Sequence, residues 1–295
     1  MKINYFDLGL HDGNEFFALC SHLKNNYSNW EAHGFEACEV FYDFCQERFK
    51  FDSRIKIIHG AISNTEDEIK LYYAKNPVGH SIFQSKNPEV RADHHGKDIG
   101  MPMLFEFLDR QMKDPQNETM PLKKWVSLTQ KWAASQGLRL QPNPNMMSQI
   151  EELNEENFKS WYPHKAFTFV KKDGKRFRPD GEVCKGIIFS KWLEKNVHDF
   201  EKSFNILRVN IEGAEIHLFE DLIENDLVKH FDIFCGTGHD VEKISEHSTD
   251  KYYKMLKNSN IKLYRFSDYK PELNDNIAKV INKKLKMYED KNVLP

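Results

Sequence analysis

The stretch that decides the fold is Ile3-Asn4-Tyr5-Phe6-Asp7-Leu8-Gly9-Leu10-His11-Asp12-Gly13. Ile3, Tyr5 and Phe6 predict a short buried strand ending at Asp7-Leu8-Gly9. A turn bounded by Gly9 and Gly13 then opens a helix, with Phe16, Leu19, Cys20 and Leu23 at helical spacing. A strand that passes through glycines straight into an amphipathic helix is the first half of a β-α-β unit.

The alternation continues outward. Residues 30–36 predict a second strand, followed by a helix carrying Phe41, Phe44, Cys45 and Phe49 on one face. Ile55, Ile57 and Ile58 mark a third strand, expected to run on to Ala61-Ile62-Ser63. After the Asn64-Thr65-Glu66-Asp67 turn, residues 69–73 predict another strand. Strand–helix–strand–helix–strand order implies a parallel sheet with right-handed crossovers.

From about residue 85 to 181 the rhythm breaks. Helices are expected over 125–136 and 148–160, and Gln141-Pro142-Asn143-Pro144-Asn145 reads as a linker that cannot continue a helix. Phe167-Thr168-Phe169-Val170 leads to Asp173-Gly174, a hairpin-turn signal. The α/β pattern resumes with strands expected at 183–189, 205–211, 231–235 and 261–266. Helices follow around Trp192-Leu193, along Ile216, Phe219, Leu222 and Ile223, and finally along Ile277, Val280, Ile281 and Leu285. The expected fold is α/β and Rossmann-like: a mostly parallel sheet with helices on both faces and a large mixed α+β insertion. Residues 1–84 and 182–295 form the core, and 85–181 the insertion, as an acceptor-binding or lid subdomain.

A chain of 295 residues with 40% hydrophobic and 29% charged content has the composition of an ordinary globular protein. A net charge of -3 gives no overall pull toward nucleic acid or anionic membrane. No apolar run approaches the roughly 18 residues that span a bilayer. Asn4 and Asp7 interrupt any signal-peptide stretch, and five scattered cysteines fit reduced thiols, so a cytoplasmic location is expected.

The chemistry concentrates at the strand carboxyl ends, where open α/β sheets bind ligands. Gly9 and Gly13 let the backbone pass close under a ligand at a helix N-terminus. The G-x-G-x-x-G of a dinucleotide site is absent, so a nucleoside ligand without a pyrophosphate fits better. Glu36 ends the second strand, where a carboxylate can accept hydrogen bonds from both ribose hydroxyls. It could equally be a surface acid favoured by the helix dipole. Asn210-Ile211-Glu212-Gly213-Ala214-Glu215 places two carboxylates, Glu212 and Glu215, at the start of a helix after another strand.

Together these residues resemble the FkbM-type methyltransferase family, a branch of the S-adenosylmethionine-dependent Rossmann-like (class I) enzymes. Asp7, Gly9 and Gly13 match its D-x-G-A-N-x-G, and Glu36 the acid ending its second strand. Ala61-Ile62-Ser63 matches its A-[IL]-S, and residues 210–215 its D-h-E-G-x-E. Gly236-Thr237-Gly238-His239-Asp240 loosely echoes E-T-H followed by an acid. The resemblance covers roughly residues 3–84 and 183–266.

The resemblance implies S-adenosylmethionine as cofactor. Asp7, Gly9, Gly13 and His11 would lie near its methionine end, Glu36 at its ribose, and Ala61, Ile62 and Ser63 beside its adenine. It implies O-methylation of a small molecule, a sugar or glycan hydroxyl approaching from above Asn210 and His239. His239 would serve as base, and Glu212 and Glu215 as orienting groups or alternative bases. The chain departs from the family pattern at Leu10-His11, where the family has Ala-Asn, and at Asn210, where it has Asp. An amide donates and accepts hydrogen bonds but cannot act as a base. Two alternatives therefore stay open: a non-catalytic nucleoside-binding relic of the fold, and an NAD-dependent oxidoreductase.

Other clusters carry less. Adjacent His94-His95 with Asp93 and Asp98 lack a matching third ligand, so no metal site is expected. Lys171, Lys172, Lys175, Arg176 and Arg178 read as a solvated turn or an anion contact, and Trp125, Trp132, Trp161 and Tyr162 as packing or a sugar-stacking face. No nucleic-acid partner and no membrane span is expected.

Overall fold

The opening strand β1 (Ile3–Leu8) is buried along its whole length in the computed structural model, which describes residues 1–72, 81–83, 134, 138–142, 167–171, 181–236, 239–264 and 271–292. It is followed by α1 (Asn14–Asn26), β2 (Trp30–Glu36), α2 (Glu39–Phe49), β3 (Ile55–His59), β4 (Ala61–Ile62) and β5 (Glu68–Tyr72). Next come β6 (Leu138–Pro142), β7 (Phe167–Lys171), β8 (Gly181–Ile187), α3 (Phe189–Asn196), β9 (Phe204–Val209) and α4 (Glu215–Glu224). The chain closes with β10 (Ile233–Gly236), α5 (Glu246–Asn258), β11 (Leu263–Tyr264) and α6 (Pro271–Asn292).

The chain divides into two units, Met1–Ile69 with Val183–Pro295, and Lys70–Glu182. The first holds a six-stranded sheet of order β11-β10-β9-β1-β2-β3. Every neighbouring pair in it is parallel. The fold is thus α/β, with a parallel central sheet and helices packed on it. In the second unit β6 and β7 form an antiparallel pair.

Alternation along β1 explains why both faces are covered. Phe6 and Leu8 point into a cluster with Phe35, Leu207, Val209 and Phe234, closed by α3 (Phe189, Leu193), α4 (Leu218, Phe219, Leu222) and Tyr252 of α5. Phe6 meets Phe189, Phe200 and Phe231 edge-on at 5.8, 6.0 and 6.1 Å. Burying one such ring contributes roughly 1.5–3 kcal/mol. On the other face Tyr5 stacks on Phe16 of α1 at 5.4 Å. Helix α6 lies against α1, where Tyr27 Oη donates to Asn282 Oδ1 at 2.6 Å.

One polar residue sits inside the aromatic cluster. His33 is fully buried, 5.3 Å from the Phe6 ring and 5.2 Å from Trp192, and its ring nitrogens make no hydrogen bond. Burial lowers its pKa to about 4, helped by the nearby positive charge of Lys56.

Three expectations need correction. The third strand does not run on into Ala61-Ile62-Ser63, because Gly60 turns the chain at φ 152° and β4 leaves the central sheet to pair with β8. The strand expected at 183–189 is therefore β8, beside β4 rather than in the central sheet, and Phe189 already begins α3. Gln141 and Pro142 are not linker but the end of β6, and the strand at Phe167 pairs back with them. The helix expected at 125–136 is described only at residue 134, which is helical, and the helix expected at 148–160 and the Asp173-Gly174 turn lie outside the described residues. So do His94-His95 with Asp93 and Asp98, the basic residues from Lys172 to Arg178, and Trp125, Trp132, Trp161 and Tyr162. No described helix is long and apolar enough to cross a membrane.

Candidate functional site at the carboxyl rim of the sheet

Parallel pairing brings the ends of β1, β2, β3, β9 and β10 to one rim, and the loops leaving them touch. Gly9 N and Leu10 N both donate to Phe35 O, at 3.0 and 3.1 Å. Asn210 N donates to Leu8 O at 2.9 Å, and Gly60 N to Glu36 O at 2.9 Å. Gly9 has φ 90°, and a Cβ there would stand 2.0 Å from Asn210 O, so only glycine lets these two loops meet. Gly236 repeats this at the end of β10, where a Cβ would lie 1.9 Å from Val209 O.

Each of the two main rim loops is bracketed by a glutamate. Glu36 is buried; its Oε2 accepts from His11 N at 2.7 Å and its Oε1 from Cys38 N at 2.8 Å. Glu215 is buried at the start of α4; its Oε1 accepts from Ile211 N at 2.9 Å and its Oε2 from Gly213 N at 2.6 Å. Burial pushes the Glu215 carboxyl up to about 7, aided by Asp240 and opposed by the backbone donors. Each loop also holds one non-glycine residue in the left-handed region, His11 at φ 52° and Glu212 at φ 57°. Such backbone conformations cost of order 1–3 kcal/mol and cluster where loops are shaped for function.

The turn into α1 is closed by the chain itself. Asp12 is buried, and its Oδ1 accepts from Asn14 N at 3.1 Å while its Oδ2 accepts from Asn14 Nδ2 at 2.8 Å. Arg48 of α2 braces the turn from outside, donating to Asp12 O at 2.8 Å and Asn14 Oδ1 at 2.7 Å. The His11 ring rests 4.3 Å from that of Phe41, and Gly13 takes φ 71° as the cap of α1.

Asp7 is present but turned inward. Its buried carboxylate accepts from Tyr5 Oη at 2.6 Å and from Arg208 Nη1 at 2.6 Å. Burial raises its pKa against the opposing pull of Arg208 and these hydrogen bonds. Arg208 also donates to Gly9 O at 3.1 Å and pairs through Nη2 with Glu15 in the first turn of α1.

The structure thus joins Gly9, His11, Gly13, Glu36, Asn210, Glu212 and Glu215 in adjoining rim loops. Ala61, Ile62 and Ser63 follow directly from Gly60; all three are buried, with Ile62 in the aromatic cluster and Ser63 N bonded to Ile187 O at 2.9 Å. His239 begins the 3-10 turn after β10, and its side chain lies outside the described atoms. Among the described residues no group of three or more His, Cys, Asp or Glu is placed to hold a metal ion.

Sequence reasoning assigned no role of their own to Arg208, Asp12, Glu15 and Gly236. Two carried a legible signal. A lone cation in the apolar strand Ile206-Leu207-Arg208-Val209 needs a buried acid beside it, and Asp12 two residues before Asn14 is an Asx-turn pattern.

The fold and rim define an α/β protein whose parallel sheet presents a glycine-turned, acid-lined edge. Compared with models of known protein families, with curated proteins and with solved structures, the chain finds no match.

Proposed function

We propose that the rim binds S-adenosylmethionine and that the protein is an S-adenosylmethionine-dependent methyltransferase acting on a sugar or glycan hydroxyl. The observation that carries the reading is the charge at the start of α1. A helix N-terminus ordinarily offers free N–H groups to an anion. Here Asp12 accepts from Asn14 N, and the Glu15 carboxylate in the first turn is paired with Arg208, so these two acids line the helix start. A pyrophosphate would meet these acids, whereas a cationic sulfonium or ammonium group is favoured by them.

The residues present fit such a ligand. Glu36 places a carboxylate, the acceptor type that takes ribose hydroxyls, at the end of β2. The left-handed turns at Gly9, His11 and Gly13 shape the loop that would receive the amino-acid end, the open sides of Gly9 and Gly13 being filled by Asn210 O and by the Phe49 and Cys45 side chains. When bound, S-adenosylmethionine supplies an activated methyl group, and the chain's task is to hold the acceptor oxygen in line. Asn210 can orient an acceptor hydroxyl by hydrogen bonding, and proton removal falls to His239, Glu212 or Glu215 at the neighbouring strand ends. Asp7 serves this site indirectly, through the ion pair beneath the loop. The test is incubation with labelled S-adenosylmethionine and a panel of glycans, with Asn210→Asp run in parallel. Transfer by the wild type supports the reading; cofactor binding with no transfer by either protein points to a binding relic.

One observation favours a second reading. β11 pairs parallel with β10, so the described sheet has the order of dinucleotide-binding folds and contains no antiparallel strand. An NAD-dependent oxidoreductase would use this topology, but its pyrophosphate would have to displace Asp12 from Asn14 N.

A further inference from the structure

We propose that Arg208 is a positioning residue for the 9–13 loop, an inference that rests on the reading that this loop receives the ligand. Parallel register places Arg208 of β9 directly beside Asp7 of β1. From that buried position one guanidinium reaches three elements. Nη1 donates to Asp7 Oδ1 at 2.6 Å and to Gly9 O at 3.1 Å, and Nη2 meets Glu15 in the first turn of α1.

The Gly9 peptide is consequently held from three sides. Its N–H is bonded to Phe35 O, its carbonyl to Arg208, and its open flank lies against Asn210 O. The loop's left-handed path through Gly9, His11 and Gly13 is thus set by contacts on β2, β9 and α1 together. Arg208 is buried beneath the loop and acts on a ligand only by fixing the peptide above it. A planar fork is needed for this. Lysine carries a single ammonium on a flexible stem and cannot reproduce the two-nitrogen reach to strand, loop and helix.

The test compares the wild type with Arg208→Lys and Glu15→Gln in two measurements. One is amide hydrogen exchange of the unliganded chain, resolved to residues 9–13 and to strands β1 and β9. The other is calorimetric titration with S-adenosylmethionine. In Arg208→Lys, exchange at residues 9–13 is expected to quicken at least tenfold while the central amides of β1 and β9 keep their protection, and affinity falls at least tenfold. Glu15→Gln leaves the buried Asp7–Arg208 pair in place, so it keeps the test valid if Arg208→Lys does not fold. Its expected loop exchange is about threefold faster. Unchanged loop exchange, or a loss of protection spread evenly over loop and strands, overturns the inference. A wild type that binds no S-adenosylmethionine contradicts the ligand reading instead, and the exchange data then judge the positioning role alone.

Discussion

Asp12 accepts the backbone N–H of Asn14 at 3.1 Å, so the first N–H of α1 is taken by a carboxylate of the chain's own. The helix end that serves anions in many nucleotide-binding folds thus carries an acid of its own. In Asp12→Asn the amide oxygen still accepts from Asn14 N, but the charge is gone. Calorimetry is expected to show S-adenosylmethionine bound about three- to tenfold more weakly, as loss of roughly 1 kcal/mol of charge interaction implies. Equal or tighter binding would remove the electrostatic argument.

Glu36 brackets the loop, and on the proposed reading it also accepts from the ribose. Glu36→Ala strips the acceptor from His11 N and Cys38 N, each at a cost of about 1–3 kcal/mol if left unsatisfied. We expect at least tenfold weaker cofactor binding, with a lower urea midpoint. Glu36→Gln, which keeps one acceptor, should fall between. Unchanged affinity in a folded Glu36→Ala protein would place the ribose elsewhere.

Gly9 and Gly236 make the closest backbone approaches at the rim. Alanine at either would bring Cβ to 2.0 Å from Asn210 O or 1.9 Å from Val209 O, at positive φ. Each substitution is expected to cost about 2 kcal/mol or more, read from urea unfolding midpoints. A cost within about 0.5 kcal/mol would mean the loops separate freely.

Two buried titrating groups give opposite pH slopes. Glu215, raised to about 7, is protonated when folded and ionised when unfolded between its ordinary range and 7, so stability falls as pH rises there. His33, lowered to about 4, is neutral when folded and charged when unfolded below about 6.5, so stability falls as pH drops toward 4. Between pH 4.5 and 6.5 the two nearly cancel. Relative to the wild type, the unfolding free energy of Glu215→Gln should therefore rise with pH across this window, and that of His33→Phe should fall, each by up to about 1.4 kcal/mol per pH unit. Parallel slopes in the two variants would contradict the assignment.

Much of the fold was legible because its signals are local. The 3.6-residue rhythm of Phe16, Leu19, Cys20 and Leu23, and the short apolar strands, gave β1, α1, β2, α2, β9 and α4 nearly in place. The break at Gly60 was not, since apolar residues stand on both sides of it, Ile57-Ile58 before and Ala61-Ile62 after, and the positive φ of one glycine separates β3 from β4. Pairing across the sheet was equally hidden. That Arg208 stands beside Asp7 depends on the register of strands about two hundred residues apart, which no local pattern encodes. Glu36, Gly9 and Asn210 could be named as rim residues from strand ends alone. Which of their hydrogen bonds are already used inside the protein required the structure.

The central claim is that this rim takes an adenosyl ligand with a cationic rather than a phosphate-bearing tail. The most direct measurement is calorimetric titration of the intact chain with S-adenosylmethionine, S-adenosylhomocysteine and NAD at one ionic strength. The account predicts saturable one-to-one binding of both adenosyl amino acids and none of NAD at the same concentrations. Tight binding of NAD with no response to S-adenosylmethionine would contradict it.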